Sequence, residues 1–210
     1  MKLYSYWRST TSYRVRAALN LKGLAYDTVP VDLVAGAQHS PTYVALNPGR
    51  GVPTLVLDDG TVLTQSLAIL DYLDAIAAPR LLPQDPVRRA RVTATAHAVA
   101  LDIHPVNNLR VAQHLKQTHN ATPDDTKAWM QHWMAQGFAT VEAMVSPDTA
   151  FAFGDSPDLA DLCIVAQAYN AHRWGLDMAP YPHLTRIEVA CLAHPAIHAA
   201  RPENQPDAPQ

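Results

Sequence analysis

Short apolar runs and longer amphipathic stretches alternate along the first 77 residues of the chain. Residues 2–7 fit a short buried strand. Residues 13–21 fit a helix with Val15, Ala18 and Leu19 facing inward. A second strand is predicted over residues 26–32, where Pro30 cannot donate a ladder hydrogen bond and therefore favours a sheet edge. The chain thus opens with a strand, a helix and an edge strand.

A short helix and a β-hairpin follow. The helix is predicted over residues 41–46, and residues 52–66 contain two strands joined by the turn pair Asp59-Gly60. Ser66 is expected to cap a third helix. Its apolar face consists of Leu67, Ile69, Leu70, Leu73 and Ile76. The predicted order of elements is βαβαββα.

The pattern changes after a proline-rich stretch, PRLLPQDP, at residues 79–86. Everything beyond it is helical in pattern, with helices predicted over residues 87–118, 124–144, 158–173 and 183–193. We therefore predict an α/β domain over residues 1–78, a linker over 79–86 and an all-helical domain over 87–210.

Two local features of the helical part lead to further expectations. Asp158 is predicted to cap its helix, with Asp161 at the third helical position as in a capping box. The final ten residues, RPENQPDAPQ, are polar and rich in proline. We expect this tail to be loosely held.

Composition excludes several classes of partner. Hydrophobic residues make up 48% of the 210 and charged residues 17%, which is enough apolar material for a substantial core. The formal net charge of -3 offers no basic excess that would favour a nucleic-acid partner. No apolar run reaches the roughly 18 residues of a membrane span, and Arg8 interrupts any signal-type segment. We expect a cytoplasmic protein that binds neither nucleic acid nor membrane.

The junction between the first strand and the first helix collects hydroxyls and cations without an acid. It reads RSTTSYRVR from Arg8 to Arg16. A helix N-terminus has unpaired N–H groups and a partial positive charge, so hydroxyls and arginines there favour an anion. From the residues alone, phosphate, carboxylate and thiolate all stay open.

Three separated motifs resemble one family. They are SYWRSTTSYRVRAALNLKGLAYDTVPVDL, ALNPGRGVPTLVLDDGTVLTQSLAILDYL and DLADLCIVAQAYNAHRW. Together they are similar to the zeta class of glutathione transferases, which includes maleylacetoacetate and maleylpyruvate isomerases. The resemblance covers nearly the whole chain and implies a thioredoxin-like domain followed by a helical domain. It also implies glutathione as the cofactor and a homodimer as the assembly.

The resemblance assigns roles to residues of the α/β domain. It implies that Ser9 activates the glutathione thiol, while Thr11 stands where the family pattern has a cysteine. Val52, before an implied cis bond to Pro53, would pair with the glutathione main chain. Gln65 and Ser66 would hold the γ-glutamyl carboxylate at a helix N-terminus. Because residues 8–16 contain no cysteine, thiol–disulfide exchange through a cysteine of this segment is excluded.

Arginines are the candidates for binding acid groups of a substrate, because they stay charged and bind carboxylates bidentately. The candidates are Arg8, Arg110 and Arg173, with Arg8 foremost because it adjoins Ser9. His104 is a further candidate for contact with glutathione or substrate, and Asn108 for contact with glutathione. Ten histidines are present, but no metal-ligand motif is, and we predict no metal site.

These features predict an enzyme with Arg8, Ser9 and Thr11 at its catalytic site. We expect reversible addition of a glutathione thiolate to the cis double bond of maleylpyruvate or maleylacetoacetate, giving the fumaryl isomer in aromatic degradation. The substrate would be a small dicarboxylic oxo or dioxo acid. A zeta-type transferase or dehalogenase acting on small halo-acids, and a non-catalytic binding protein of the same fold, are the alternatives. The sequence does not separate the two maleyl substrates.

Overall fold

The computed structural model describes Met1–Pro209, which form two compact units. One unit combines Met1–Arg80 with the segment that begins at Ala193, and the other is Leu81–Leu192. This differs from the predicted boundaries, because the last segment belongs with the α/β unit. Side chains of the first helix explain the difference, since Asn20 and Arg16 donate to the carbonyls of Ala196 and Ala200.

The α/β unit follows the predicted order of elements. Its elements are β1 (Lys2–Ser5), α1 (Thr10–Leu21), β2 (Asp27–Pro30), α2 (Pro41–Leu46), β3 (Thr54–Val56), β4 (Val62–Thr64) and α3 (Ser66–Ile76). The strand order in the sheet is β2-β1-β3-β4. β1 pairs in parallel with β2 and antiparallel with β3, and β3 pairs antiparallel with β4. The prediction that Pro30 lies in an edge strand is confirmed.

Helices α1 and α3 supply much of the core of this unit. The predicted inward residues Val15, Ala18 and Leu19 are fully buried. On α3, Ile69, Leu70 and Leu73 are also fully buried, whereas Ile76 is 50% exposed at the helix end. The prediction for Ile76 was therefore wrong, because the helix runs past the edge of the core before it ends.

The helical unit breaks one predicted helix into several pieces. The single helix predicted over residues 87–118 is replaced by α4 (Pro86–His97), a π-helical turn (Ala98–Ile103), a 3₁₀ turn (Pro105–Asn107) and α5 (Leu109–His119). Pro105 supplies no N–H group to continue an α-helix. The remaining helices are α6 (Pro123–Met144), α7 (Leu159–Arg173) and α8 (Pro182–Ala193). Within Met1–Pro209, no helix is both long and apolar enough to span a bilayer.

Helix α7 is buried along most of its length and starts as predicted. The Asp158 side chain accepts from the backbone N–H groups of Ala160 and Asp161, and Asp161 accepts in return from the Asp158 N–H at 2.8 Å. The other Asp161 carboxylate oxygen accepts from the Ala152 N–H at 2.7 Å. The predicted capping box is confirmed, and it also fixes the preceding loop.

The C-terminal segment is ordered against the α/β unit. It contains α9 (Pro195–Ala199) and a 3₁₀ turn (Pro202–Asn204). Gln205 Nε2 donates to the carbonyls of Ala199 and Arg201 at 3.1 and 2.8 Å. Over residues 201–209 the prediction of a loosely held tail was wrong, because a polar side chain, Gln205, satisfies carbonyls of the same segment. Gln210 lies outside the described residues.

Candidate active site

A tight turn connects β1 to α1. The Ser9 N–H donates to the Tyr6 carbonyl at 2.9 Å, so Trp7 and Arg8 are the central residues of this turn, termed here the Tyr6–Ser9 turn. Ser9 has extended backbone angles and caps α1, with its Oγ accepting from the Ser12 N–H at 3.2 Å. The first turn of α1 contains no acid, so the positive end of the helix dipole is not offset by a carboxylate on that turn.

A chain of hydroxyls connects Ser9 to a carbonyl beyond the second helix. Ser9 Oγ lies 2.8 Å from Thr11 Oγ1, and Thr11 Oγ1 donates to the Val52 carbonyl at 2.8 Å. A threonine hydroxyl has a single hydrogen. Because that hydrogen is given to Val52, Ser9 is the donor in its contact with Thr11. The structure therefore brings together Ser9, Thr11 and Val52.

Several hydrogen bonds hold the loop before β3. The Val52–Pro53 peptide bond is cis, as the family resemblance implies. The neighbouring Gly51 carbonyl accepts from the Tyr43 hydroxyl and from Asn47 Nδ2, the latter at 2.8 Å. Both donors also contact Thr54 Oγ1, at 3.0 Å each. These contacts fix the position of the Val52 backbone at the end of α1.

The N-terminus of α3 is a second site that favours an anion. Ser66 is its first residue, and Gln65 occupies the capping position with a φ of 69°. The prediction that Ser66 caps the helix was therefore wrong by one position. No side chain caps the first turn, so its N–H groups face no side-chain acceptor. Arg14 Nη1 lies 3.4 Å from the buried Ser66 Oγ and adds positive charge there.

The arginines of the junction have different surroundings. Arg8 is half-buried, and its Cζ lies 5.3 Å from the centroid of the Trp7 ring. Arg16 is fully buried and donates to the carbonyls of Tyr6, Trp7 and Ala200 and to Ser5 Oγ. Arg16 thus acts on the backbone of the turn, whereas Arg8 is the junction arginine that remains partly accessible to a ligand.

The helical unit contains the other predicted site residues. Asn108 caps α5, and its Nδ2 lies 3.4 Å from His104 Nε2, so the structure brings these two side chains together. Arg110 is the second residue of α5 and is exposed. Arg173 is also exposed, donates to Asn170 Oδ1 at 3.3 Å and places its Cζ 4.8 Å from the centroid of the Trp174 ring. Their roles in binding stay predictions.

Sequence reasoning missed Asp207. Its Oδ2 accepts from the Trp7 N–H at 2.9 Å, at the centre of the Tyr6–Ser9 turn. The two residues are 200 positions apart, and no local pattern links them. Both cysteines, Cys163 and Cys191, are buried in the helical unit. Among residues 1–209, no group of three or more histidines, cysteines or acids is placed to hold a metal ion.

The groups of the α/β unit fit an extended peptide that carries a thiol and a carboxylate. The Val52 carbonyl has two lone pairs and uses one of them for Thr11. Uncapped N–H groups at α3 suit a carboxylate, and the hydroxyl at the N-terminus of α1 suits a thiolate. Glutathione has this set of groups.

Comparison with known proteins shows similarity over the full chain. Residues 8–76 match the family model described as glutathione S-transferase, N-terminal domain. The chain is 45% identical to the maleylacetoacetate isomerase of Pseudomonas aeruginosa, covering 100% of this chain and 99% of that protein.

Two solved structures are similar over their whole length. A holo structure of maleyl pyruvate isomerase, described as a bacterial glutathione S-transferase of the zeta class, is 40% identical with a TM-score of 0.97, covering 100% of both chains. The maleylacetoacetate isomerase of Methylobacterium extorquens AM1, with bound malonate and GSH, is 40% identical with a TM-score of 0.96, again covering 100% of both chains.

Proposed function

The chain belongs to the glutathione S-transferase family, among its maleylacetoacetate and maleylpyruvate isomerases, and from this we propose its reaction. It is a glutathione-dependent isomerase that converts maleylpyruvate or maleylacetoacetate to the fumaryl isomer. The observation that carries the proposal is the hydroxyl chain from Ser9 through Thr11 to Val52, with Arg8 immediately before it. This arrangement joins a site for a thiolate to a cation for an acidic substrate.

Glutathione would be held mainly by the α/β unit. Ser9 and Thr11 would face its sulfur, the Val52 backbone beside Pro53 would pair with its main chain, and Gln65 with Ser66 would bind its γ-glutamyl carboxylate. His104 and Asn108, which contact each other, are proposed as further cofactor-binding residues. Bound glutathione supplies a thiolate that adds reversibly to an electron-poor cis double bond.

Ser9 has the main task of keeping the thiol ionised. A free thiol has a pKa near 8.5, so about two units of lowering are needed for a mostly ionised sulfur at neutral pH. Two units correspond to about 2.7 kcal/mol of preferential stabilisation of the anion. A hydroxyl donor together with the N–H groups and dipole of α1 is suited to supply this amount. Ser9 donates a hydrogen bond and forms no covalent bond itself.

Arg8 would bind a carboxylate of the substrate and stabilise the negative charge that develops when the double bond is attacked. Its guanidinium lies over the Trp7 ring, and a guanidinium binds carboxylates bidentately. Arg110 and Arg173 are proposed as additional ligands of the substrate's acid groups. A substrate with two carboxylates can be bound by more than one arginine.

We also propose that the protein acts in the cytoplasm as a homodimer. Membership of the family supports both proposals. Neither is needed for the hydrogen-bonding roles of Ser9 and Thr11, because the contacts of these residues lie within one chain.

The reaction is tested by assaying the cis acid with and without glutathione and by measuring total free thiol at the end. We expect isomerisation that requires glutathione and leaves its concentration unchanged. Consumption of glutathione would identify a conjugating or dehalogenating transferase instead, and no turnover would favour a binding protein.

A pair of variants connects this activity to Ser9. Ser9→Ala should lower kcat/KM at neutral pH by about one to two orders of magnitude, because the thiol loses its donor. Ser40→Ala is the matched control, since Ser40 is likewise a helix cap, of α2, and accepts from the Tyr43 N–H. If the two variants lost activity equally, the proposed role of Ser9 would be wrong.

A further inference from the structure

The Tyr6–Ser9 turn has one internal hydrogen bond, between its first and last residues. Trp7, at its centre, therefore has an N–H and a carbonyl that the turn itself does not satisfy. Both groups find partners outside the turn. The N–H donates to Asp207 Oδ2 at 2.9 Å, and the carbonyl accepts from Arg16 Nη2 at 3.0 Å. The Trp7 backbone is thus held on both sides.

A folded segment places Asp207 at this position. Gln205 donates hydrogen bonds to the carbonyls of Ala199 and Arg201, and Pro202 is buried. These contacts hold the end of the C-terminal segment against α9. Among the described residues, Asp207 Oδ1 is buried and has no hydrogen-bond partner. The hydrogen bond that this carboxylate makes with a described residue is therefore the one that Oδ2 accepts from the Trp7 N–H.

The position of the Arg8 side chain depends on the Trp7 backbone more strongly than the position of the Ser9 side chain does. Within the described part of the α/β unit, the Arg8 guanidinium makes no hydrogen bond or ion pair, and it lies against the Trp7 and Tyr6 rings. Ser9 has contacts of its own with Thr11 and with the Ser12 N–H. A looser turn should therefore displace Arg8 while leaving Ser9 in place.

We propose that Asp207 is a positioning residue for Arg8, and that the C-terminal segment thereby sets the affinity for acidic substrates. The inference rests on the proposed function, in which Arg8 binds a substrate carboxylate. Asp207 touches neither substrate nor cofactor in this account. It acts through the Trp7 N–H, and Arg16 fixes the opposite side of the same residue.

The first test separates KM from kcat. In Asp207→Ala, KM for the cis diacid should rise about tenfold, the effect of losing one hydrogen bond to a charged group, while kcat changes less than about twofold. Asp207→Asn keeps an acceptor oxygen and should restore most of the affinity. Glu203→Ala is the matched control, because Glu203 is an exposed acid of the same segment that forms an ion pair with Arg201.

Two further measurements do not depend on turnover. In Asp207→Ala, the Trp7 amide should exchange its hydrogen about tenfold faster. The affinity of the glutathione-bound protein for malonate, measured by calorimetry, should fall about tenfold, while the affinity for glutathione stays within about twofold. An inactive wild type would refute the proposed reaction, and these two measurements would still decide the role of Asp207.

A double-mutant cycle tests whether Asp207 acts through Arg8. In an Arg8→Met background, Asp207→Ala should have no further effect on malonate affinity, because the group it positions is gone. Equal effects of Asp207→Ala in both backgrounds would overturn the proposal. So would unchanged malonate affinity in the single variant, a similar loss in Glu203→Ala, or a wild-type complex that does not bind malonate.

Discussion

Thr11 places its hydroxyl oxygen 2.8 Å from that of Ser9 and gives its only hydroxyl hydrogen to the Val52 carbonyl. This contact limits the directions in which the Ser9 hydroxyl can donate its hydrogen. When Ser9 turns its hydrogen toward a bound thiolate, two oxygens at this distance repel unless Thr11 turns its own hydrogen toward Ser9. Thr11 then becomes the donor that polarises Ser9, and the two hydroxyls act together on the sulfur.

Thr11→Val should therefore raise the pKa of the bound glutathione thiol. Losing one hydrogen bond of about 0.5–1.5 kcal/mol corresponds to a rise of about half to one pKa unit. The ultraviolet absorbance of the thiolate, titrated in the glutathione complex, measures this directly. Thr11→Ser keeps the hydroxyl and is the control. An unchanged titration curve in Thr11→Val would mean that Thr11 only supports the Val52 loop.

Features that rest on neighbouring residues were predictable from the sequence. Pro30 cannot donate to a sheet, so its position at the edge followed from its chemistry. The pair Asp59-Gly60 permits the positive φ of 87° that Gly60 adopts in the hairpin turn. Ser9 was found because an N-cap hydroxyl and the family pattern point to the same position.

Features that rest on distant contacts were not predictable. The bond between Trp7 and Asp207 connects a turn to a tail whose composition is typical of irregular segments. The close approach of Ile103 to Gly137, on another helix, is likewise a contact between distant parts of the chain. Periodicity reports only which face of a helix is apolar, so it gave no sign of either contact.

Gly137→Ala should destabilise the helical unit. An added Cβ on α6 would lie 2.1 Å from Ile103 Cγ1, and Ile103 is 1% exposed at the end of the π-helical turn. Displacing a packed side chain costs about 1–3 kcal/mol. Replacing glycine by alanine within a helix gains about 1 kcal/mol in helix propensity, so we expect the cost of displacement to be the larger of the two. Denaturant unfolding measures the net change.

Ile103→Ala provides the test of the cause. It removes the atoms nearest to the new methyl group, so Gly137→Ala should cost less in that background than in the wild type. If the two substitutions were simply additive, the close approach of α6 to the π-helical turn would not be the source of the destabilisation.

Asp161→Ala should lower the free energy of unfolding by about 2–4 kcal/mol. The substitution leaves the N–H groups of Ala152 and Asp158 without their acceptor, and Asp161 and Ala152 are fully buried. Asp161→Asn keeps one acceptor oxygen and should lose less. Equilibrium unfolding followed by circular dichroism measures both. Asp155→Ala, at an exposed acid in the preceding loop, should be neutral.

The stability of the first turn of α6 should fall at acid pH. Hydrogen bonds from the Thr122 hydroxyl and backbone N–H lower the pKa of Asp125 below its ordinary value. A depressed pKa means that the stabilisation is present above the unfolded-state pKa, near 4, and is lost as pH falls through the folded pKa. Carboxyl titration by NMR should give a pKa closer to the ordinary value in Thr122→Ala, and amide exchange in the first turn should accelerate. An unchanged Asp125 pKa in that variant would contradict this account.

Arg8→Lys should weaken binding of the diacid although it keeps the charge. Lysine loses the planar group that lies over the Trp7 ring at 5.3 Å, and it cannot bind a carboxylate bidentately. We expect KM for the cis diacid to rise about tenfold in Arg8→Lys and about a hundredfold in Arg8→Met, with glutathione affinity nearly unchanged. Steady-state kinetics at saturating glutathione measure KM in the wild type and in both variants. KM values in both variants equal to that of the wild type would mean that the substrate's acid groups are bound elsewhere.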